Sequence, residues 1–142
     1  MKKALIIALS LMVSSPVSGQ EIAQINLRLQ EIRNRDQSIR LNIAKSQQKG
    51  NIDSLIFYVE QMSKIDAENQ KYVDEIIHTK RIPDGLSRES YSAIFLVVDH
   101  ADISYQKRHF KTLKQAAKEG KIEQSEISTL YDRIMMHSGR RQ

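Results

Sequence analysis

The sequence of 142 residues contains no cysteine and no tryptophan, and only two prolines and five glycines. Without cysteine the chain can form no disulfide, carry no lipid on a cysteine and perform no thiol chemistry. Packing alone must therefore stabilise the fold. Beyond the first 19 residues, no run is long and apolar enough to predict a membrane span.

The first 19 residues have the pattern of a secretory signal peptide. A basic start at Lys2 and Lys3 precedes a short apolar run over residues 4–13, and small residues lead up to Gly19. We expect cleavage after Gly19, one helical domain over residues 20–142 and a periplasmic or secreted location. Loss of the two leader lysines reduces the excess of 22 basic over 17 acidic residues from five to three. So small an excess does not predict nucleic-acid binding.

Four long segments show the periodicity of amphipathic helices, and few residues favour strands. Asn51 and Ser87 are predicted N-caps, while Gly50 and Gly120 are placed to end helices. Short connections predict an all-α, antiparallel four-helix bundle-like domain. The predicted helices cover residues 21–48, 52–80, 87–118 and 124–138.

Three of these predicted helices carry polar residues inside their apolar stripe. They are Asp36 in the first, Asp66 with Asn69 in the second, and Asp102 in the third. Counting residues back from the connecting loops places the acids at similar positions along the axes of the antiparallel helices. We therefore expect them to meet in one layer. A buried carboxylate needs a cation, a proton or a metal, because an unpaired buried charge is costly.

Arg40, one turn after Asp36, and His100 are candidate cations for this layer. Three interpretations follow: a closed salt-bridge network that fixes helix register, a ligand pocket bounded by these groups, or a metal site. The spacing lacks the Glu-x-x-His pairs of di-iron bundles, so no metal ligand is assigned and no cofactor is identified.

A row of lysines follows the second half of the third predicted helix. It predicts either a solvated face or a patch for an acidic partner, such as lipid headgroups or an anionic polysaccharide. His78 and His109 have no partners at ligand spacing and are predicted to lie on the surface. The row consists of Lys107, Lys111, Lys114 and Lys118.

Several short motifs follow one another in a familiar order along the chain. They are Asp36-Gln37-x-x-Arg40, Asp66-x-x-Asn69, a turn containing Pro83, His100-Ala101-Asp102, and Asp132-Arg133 before Gly139. In this order and spacing they resemble the bacterial domain-of-unknown-function family 6624. The resemblance implies no activity. It implies that a set of residues belongs together, namely Asp36, Gln37, Arg40, Asp66, Asn69, His100, Asp102 and Arg133.

Members of that family usually end in Tyr-Gly-Thr-Gln shortly after the glycine, whereas this chain stops at Gln142. Counted back from the last loop, such a tail would lie close to the polar layer. If the tail completes a site in the family, the resemblance implies that this site is altered or lost in the present chain.

Two functions remain open at this point. The first is a ligand-binding or protein-interaction module, in which Arg40 and His100 hold a small polar or anionic ligand, or a protein partner, while the acids orient them. The alternative is a hydrolase, possibly metal-dependent, in which an acid and His100 activate water. No residue is assigned as catalytic.

Overall fold

The computed structural model describes residues 17–77 and 79–139 of the chain. These residues form five α-helices and no strand, and the helices pack into a bundle-like domain, which confirms the predicted all-α class. The helices are α1 (Gly19–Gln48), α2 (Ile52–Ile76), α3 (Arg88–His100), α4 (Ile103–Lys118) and α5 (Gln124–Gly139).

The predicted leader lies mostly outside the described residues, which begin at position 17. Its cleavage after Gly19 and the domain boundary at residue 20 therefore stay predictions. His78, predicted to lie on the surface, also falls outside them. In the part of the chain that the structure describes, no helix combines the length and the hydropathy needed to cross a membrane.

The helices α1 and α2 form a long hairpin whose turn follows the predicted signals. Gly50 has φ of +65°, the left-handed conformation that glycine adopts most easily. Asn51 then caps α2, because its Oδ1 accepts a hydrogen bond from Ser54 N at 3.0 Å. The predicted end of α2 at Lys80 is wrong. The helix ends at Ile76, and an irregular connection leads to α3.

The third predicted helix is in fact two helices, α3 and α4, separated at Ala101 and Asp102. Asp102 is the N-cap of α4, and its Oδ1 accepts hydrogen bonds from Ser104 N at 2.8 Å and Tyr105 N at 3.0 Å. This side chain is exposed. The prediction that Asp102 is a core acid is therefore wrong. Aspartate favours N-caps because its carboxylate satisfies N–H groups that the first turn leaves without partners.

Among the three shorter helices, α3 packs against both helices of the hairpin, α4 packs against α3, and α5 packs against α4. At one end, Lys121 Nζ, after α4, donates to the carbonyl of Ile82, before α3, at 3.0 Å. At the other end, His100 reaches Asp36 in the middle of α1. The ends of α3 and α5 and the start of α4 therefore lie at the same level, partway along the hairpin.

Beyond this level, no helix formed by the described residues covers the hairpin. The stripe predicted for the second helix is buried at Asn69 and Val73, but Ile52 is 67% exposed and Val59 is 41% exposed. Ile52 and Val59 lie at the spacing of this apolar stripe, but both are outside the core. The reason is length, because α3, α4 and α5 have only 13 to 16 residues against 25 for α2.

Candidate functional site

Asp36 is the centre of the predicted polar layer. It lies on the α1 stripe of Leu29, Ile32 and Ile39, and the helical spacing turns its side chain into the core, where it is 2% exposed. Its Oδ1 accepts hydrogen bonds from Arg40 Nε at 2.9 Å and contacts His100 Nδ1 at 3.1 Å. Its Oδ2 accepts one from Gln37 Nε2 at 2.9 Å. The buried carboxylate is therefore fully compensated by three donors.

Arg40 joins the two long helices. While Nε donates to Asp36, Nη2 donates to Asp66 Oδ1 at 3.1 Å and Oδ2 at 3.3 Å. Nη1 contacts Met62 Sδ at 3.2 Å. Because each nitrogen of the guanidinium has a partner, the plane of Arg40 is fixed between α1 and α2.

The two carboxyls that share Arg40 differ in acidity. Burial raises the pKa of Asp36, but the hydrogen bond and charge of His100, together with Arg40, outweigh it and hold that pKa below its ordinary value. Burial also raises the pKa of Asp66, and the charge of Asp36 adds to the rise, so this pKa ends above its ordinary value although Arg40 opposes the shift. The difference arises because His100 contacts Asp36 directly and not Asp66.

A groove opens where the ends of α3 and α5 and the start of α4 meet. We call it the polar groove; its volume is about 500 Å³. His100 contacts Asp36 through Nδ1, which leaves Nε2 as the ring nitrogen for a ligand. The polar residues that line the groove are Arg40, Asp99, His100, Asp102, Gln106, Arg133 and His137.

Asp99 and Arg133 form an ion pair that also lines the polar groove. Arg133 Nη1, on α5, donates to the carbonyl oxygen of Asp99 at 2.8 Å. It also lies 2.8 Å from Asp99 Oδ1, a close ion pair that is not aligned as a hydrogen bond. Gln106 Nε2, on α4, donates to the carbonyls of Asp99 at 2.8 Å and Ala101 at 3.0 Å. Side chains from α4 and α5 thus satisfy the last carbonyls of α3.

The structure brings most of the predicted set together. Asp36, Gln37, Arg40, Asp66 and His100 form one connected network, and Arg133 also lines the polar groove. Asp102 lies at the rim of the groove and not in the buried layer. Asn69 is buried, but its Nδ2 has no hydrogen-bond partner among the described residues.

Three groove residues were missed from the sequence: Asp99, Gln106 and His137. Asp99 and Gln106 lie off the apolar stripe of their helices, so spacing gave no signal for them. His137 lies near the end of α5, and only the shared level of the helix ends brings it to the groove.

A second polar cluster lies between α2 and α4, and it corrects the prediction that His109 is a surface residue. His109 is 9% exposed, and its Nε2 lies 2.9 Å from Asp74 Oδ1 without hydrogen-bond alignment. Tyr105 donates to Asp74 Oδ1 at 3.0 Å, and its pKa is raised by burial and by the Asp74 charge. The four-residue steps from Tyr105 through His109 to Leu113 would have placed His109 on the buried stripe.

Residues 17–77 and 79–139 contain no group of three or more His, Cys, Asp and Glu side chains that could hold a metal ion. The metal-dependent form of the hydrolase alternative therefore has no ligand set among them. The form of the hydrolase alternative in which His100 activates water without a metal does not depend on such a ligand set.

A family model described as "Family of unknown function (DUF6624)" matches residues 23–142, which is nearly the whole chain. No curated protein and no solved structure matches the sequence.

Proposed function

We propose that this chain, which belongs to the DUF6624 family of unknown function, binds a small polar ligand in the polar groove through a carboxylate or phosphoryl oxygen. The observation that carries the proposal is the double contact of Asp36 with Arg40 and His100. One buried acid holds two donor side chains at the wall of a groove. Donors that are fixed in advance lose little freedom when a ligand binds.

The unused donors of the polar groove support this class of ligand. Arg133 uses Nη1 for Asp99, and Nε and Nη2 have no acceptor from the described residues. A guanidinium with two free nitrogens on one edge matches the two oxygens of a carboxylate or phosphoryl group. His100 Nε2 offers a further polar contact.

The charge balance of the groove limits the charge of the ligand. Arg40 is paired with Asp36 and Asp66, and Arg133 is paired with Asp99. Because each arginine already has a carboxylate partner, a ligand with many negative charges would be repelled by the nearby acids. A ligand with one anionic group and additional hydroxyl or amino groups fits the mixture of acceptors and donors.

Thermal unfolding in the presence of small acids tests the proposal. A ligand that binds the folded state raises the midpoint by mass action. We expect a rise with at least one small monocarboxylate, hydroxy acid, amino acid or phosphate monoester, and a loss of that rise in Arg133→Gln and His100→Gln. Lys45→Gln is the matched control, because Lys45 is exposed on the far half of the hairpin. A rise that both groove variants keep would contradict the proposal.

A metal-free hydrolase is the second candidate, and the Asp36–His100 contact favours it. With Nδ1 oriented by Asp36, His100 Nε2 would take a proton from water as the water oxygen attacks an ester carbon or phosphorus, and would return the proton to the leaving group. Asp36→Asn distinguishes the two functions. Hydrolysis would fall by two or more orders of magnitude, whereas binding would weaken only modestly, because the asparagine amide still hydrogen-bonds His100 Nδ1 and Arg133 keeps its donors.

We also propose that the protein acts in the periplasm or outside the cell, which rests on the leader pattern of residues 1–19. The test is mass spectrometry of the mature protein from an expressing cell. A first residue at position 20 would support the proposal. An intact Met1 terminus in the cytosol would contradict it.

A further inference from the structure

The helix α4 carries charge of one sign only. Its 16 residues, Ile103–Lys118, contain four lysines and one arginine and no acid. Most helices with exposed faces mix both signs, because opposite charges three or four residues apart stabilise the helix. α4 lacks that support, so its positive face is available for an external partner.

Part of this face forms one side of a groove of about 640 Å³, which we call the basic groove. The residues Lys111, Lys114 and Lys118 line it from α4, with Arg108 at one end, and Lys80 lines it from the connection after α2. No aspartate or glutamate among the described residues lines it. The exposed Gln115 supplies an amide between the charges, and Thr112 lies buried at the base of the groove.

The lysines of the basic groove form no ion pair with any acid of the described structure. Lys80, Lys111, Lys114 and Lys118 are exposed, and none forms an ion pair with a described residue. Arg108 is the exception, since Nη2 lies 3.3 Å from Asp74 Oδ2. This differs from the polar groove, where each arginine has a carboxylate partner.

Lys80 reaches the groove from an unusual backbone conformation. Its φ is +58°, and it is the one described residue other than glycine with a positive φ. A lysine in the left-handed region costs about 1 kcal/mol or more, and such conformations concentrate at functional sites. The strained turn places a fourth lysine opposite the three of α4.

We propose that the basic groove binds a segment of an acidic polysaccharide. Lys111 and Lys118 are seven residues apart, or about 10 Å along the helix, so the face suits a chain with repeated negative groups better than a single anion. Electrostatic attraction would bring the chain to the groove, and the exposed Gln115, whose Nε2 also donates to Glu119 at 3.0 Å, would hydrogen-bond sugar hydroxyls through its amide oxygen.

The composition of the surface distinguishes this ligand from other polyanions. None of the exposed large apolar side chains in the described structure lies on α4, whereas a membrane-binding helix combines basic residues with an apolar face. No aromatic ring of the described residues lines the basic groove, whereas single-stranded nucleic acids usually stack bases on such rings. A saturated, hydroxyl-rich polyanion needs neither feature.

The experiment measures binding of the full chain to polygalacturonate by calorimetry at low salt, with neutral dextran, polyphosphate and anionic phospholipid vesicles as comparison probes. We expect binding to polygalacturonate that weakens as salt is raised. The double variant Lys111→Gln, Lys114→Gln should bind about tenfold more weakly, the order expected when two exposed charge contacts are lost. Lys45→Gln, Lys49→Gln removes the same charge from exposed positions on the far half of the hairpin and is the matched control.

Four outcomes would overturn the proposal. They are the absence of binding to polygalacturonate, an equal loss in the control variant, tighter binding to polyphosphate, and binding confined to vesicles. Circular dichroism of both double variants shows whether each is folded before its affinity is compared.

Discussion

His100 Nδ1 lies 3.1 Å from Asp36 Oδ1, and this contact ties the last residue of α3 to the middle of α1. The same oxygen accepts a hydrogen bond from Arg40 Nε at 2.9 Å. One buried carboxylate therefore sets the position of two donors at the wall of the polar groove. Stability and ligand binding both depend on this acid, and they can be measured separately.

Asp36→Ala should lower the free energy of unfolding by about 2–3 kcal/mol, because it leaves Arg40 and His100 without their shared acceptor. Urea unfolding of the purified chain measures the change. Glu60→Ala is the matched control, since it removes an exposed acid from α2 and should change stability by less than about 0.5 kcal/mol. Equal effects of the two substitutions would show that the buried network adds no stability.

Asp102→Ala should cost about 1 kcal/mol, the usual value for the loss of an N-cap. Asp102→Asn should cost much less, because asparagine caps a helix about as well as aspartate. Urea unfolding of both variants separates the roles. If Asp102→Asn were as harmful as Asp102→Ala, the charge of Asp102 would matter more than its two hydrogen bonds to Ser104 N and Tyr105 N.

Stability should fall as the solution is acidified below pH 6.5, partly because of His109. Burial is the main cause that holds the pKa of His109 below its ordinary value of 6.5, although the Asp74 charge opposes it. The unfolded chain therefore takes up a proton at His109 first, and stability is lost from pH 6.5 down through the folded pKa. Above pH 6.5, His109 does not make the free energy of unfolding depend on pH.

Urea unfolding at several pH values between about 7.5 and 5.5 measures this dependence, where each limit is about one unit from the ordinary histidine pKa. In His109→Gln the slope over that interval should be smaller than in the unmodified chain. His137→Gln is the control, because His137 is exposed. Parallel curves for His109→Gln and the unmodified chain would rule out this role.

Asn69→Leu should keep the free energy of unfolding unchanged or raise it by about 1 kcal/mol. The Nδ2 group of Asn69 is buried without a hydrogen-bond partner in the described residues, and such a group costs stability. Leucine has the same branched arrangement of four side-chain heavy atoms and no polar atom. A loss of more than about 1 kcal/mol in thermal or urea unfolding would mean that Asn69 has a polar partner in solution.

Local signals predicted much of the fold, because caps and helix-ending glycines act through their own neighbours in the chain. Asn51 and Ser87 cap helices as expected, and Gly50 and Gly120 adopt positive φ at helix ends. Asp102 was misplaced because an acid within an apolar stripe fits two structures, a buried carboxylate and the N-cap of a new helix. The sequence pattern does not distinguish a buried carboxylate from an N-cap when the helical spacing continues from α3 into α4.

The site was predicted only in part, for a physical reason. Asp36, Arg40 and Asp66 were identified since they lie on the inner faces of two long, regular helices. The pairing of Asp99 with Arg133 depends on where α3 and α5 end relative to each other. Helical periodicity contains no information on where one helix ends relative to another. The exposure of Ile52 has the same origin, because a stripe does not show whether another helix is long enough to cover it.

The central claim is that Asp36 holds His100 so that Nε2 meets a ligand in the polar groove. Long-range proton–nitrogen NMR of the His100 ring tests it most directly, with and without the small acid that gives the largest rise in midpoint. We expect the proton on Nδ1, facing Asp36, in both states, and a shift of the Nε2 signal on ligand addition that is lost in Arg133→Gln. A bound ligand that leaves the His100 signals unchanged, or a free protein with Nδ1 unprotonated, would contradict it.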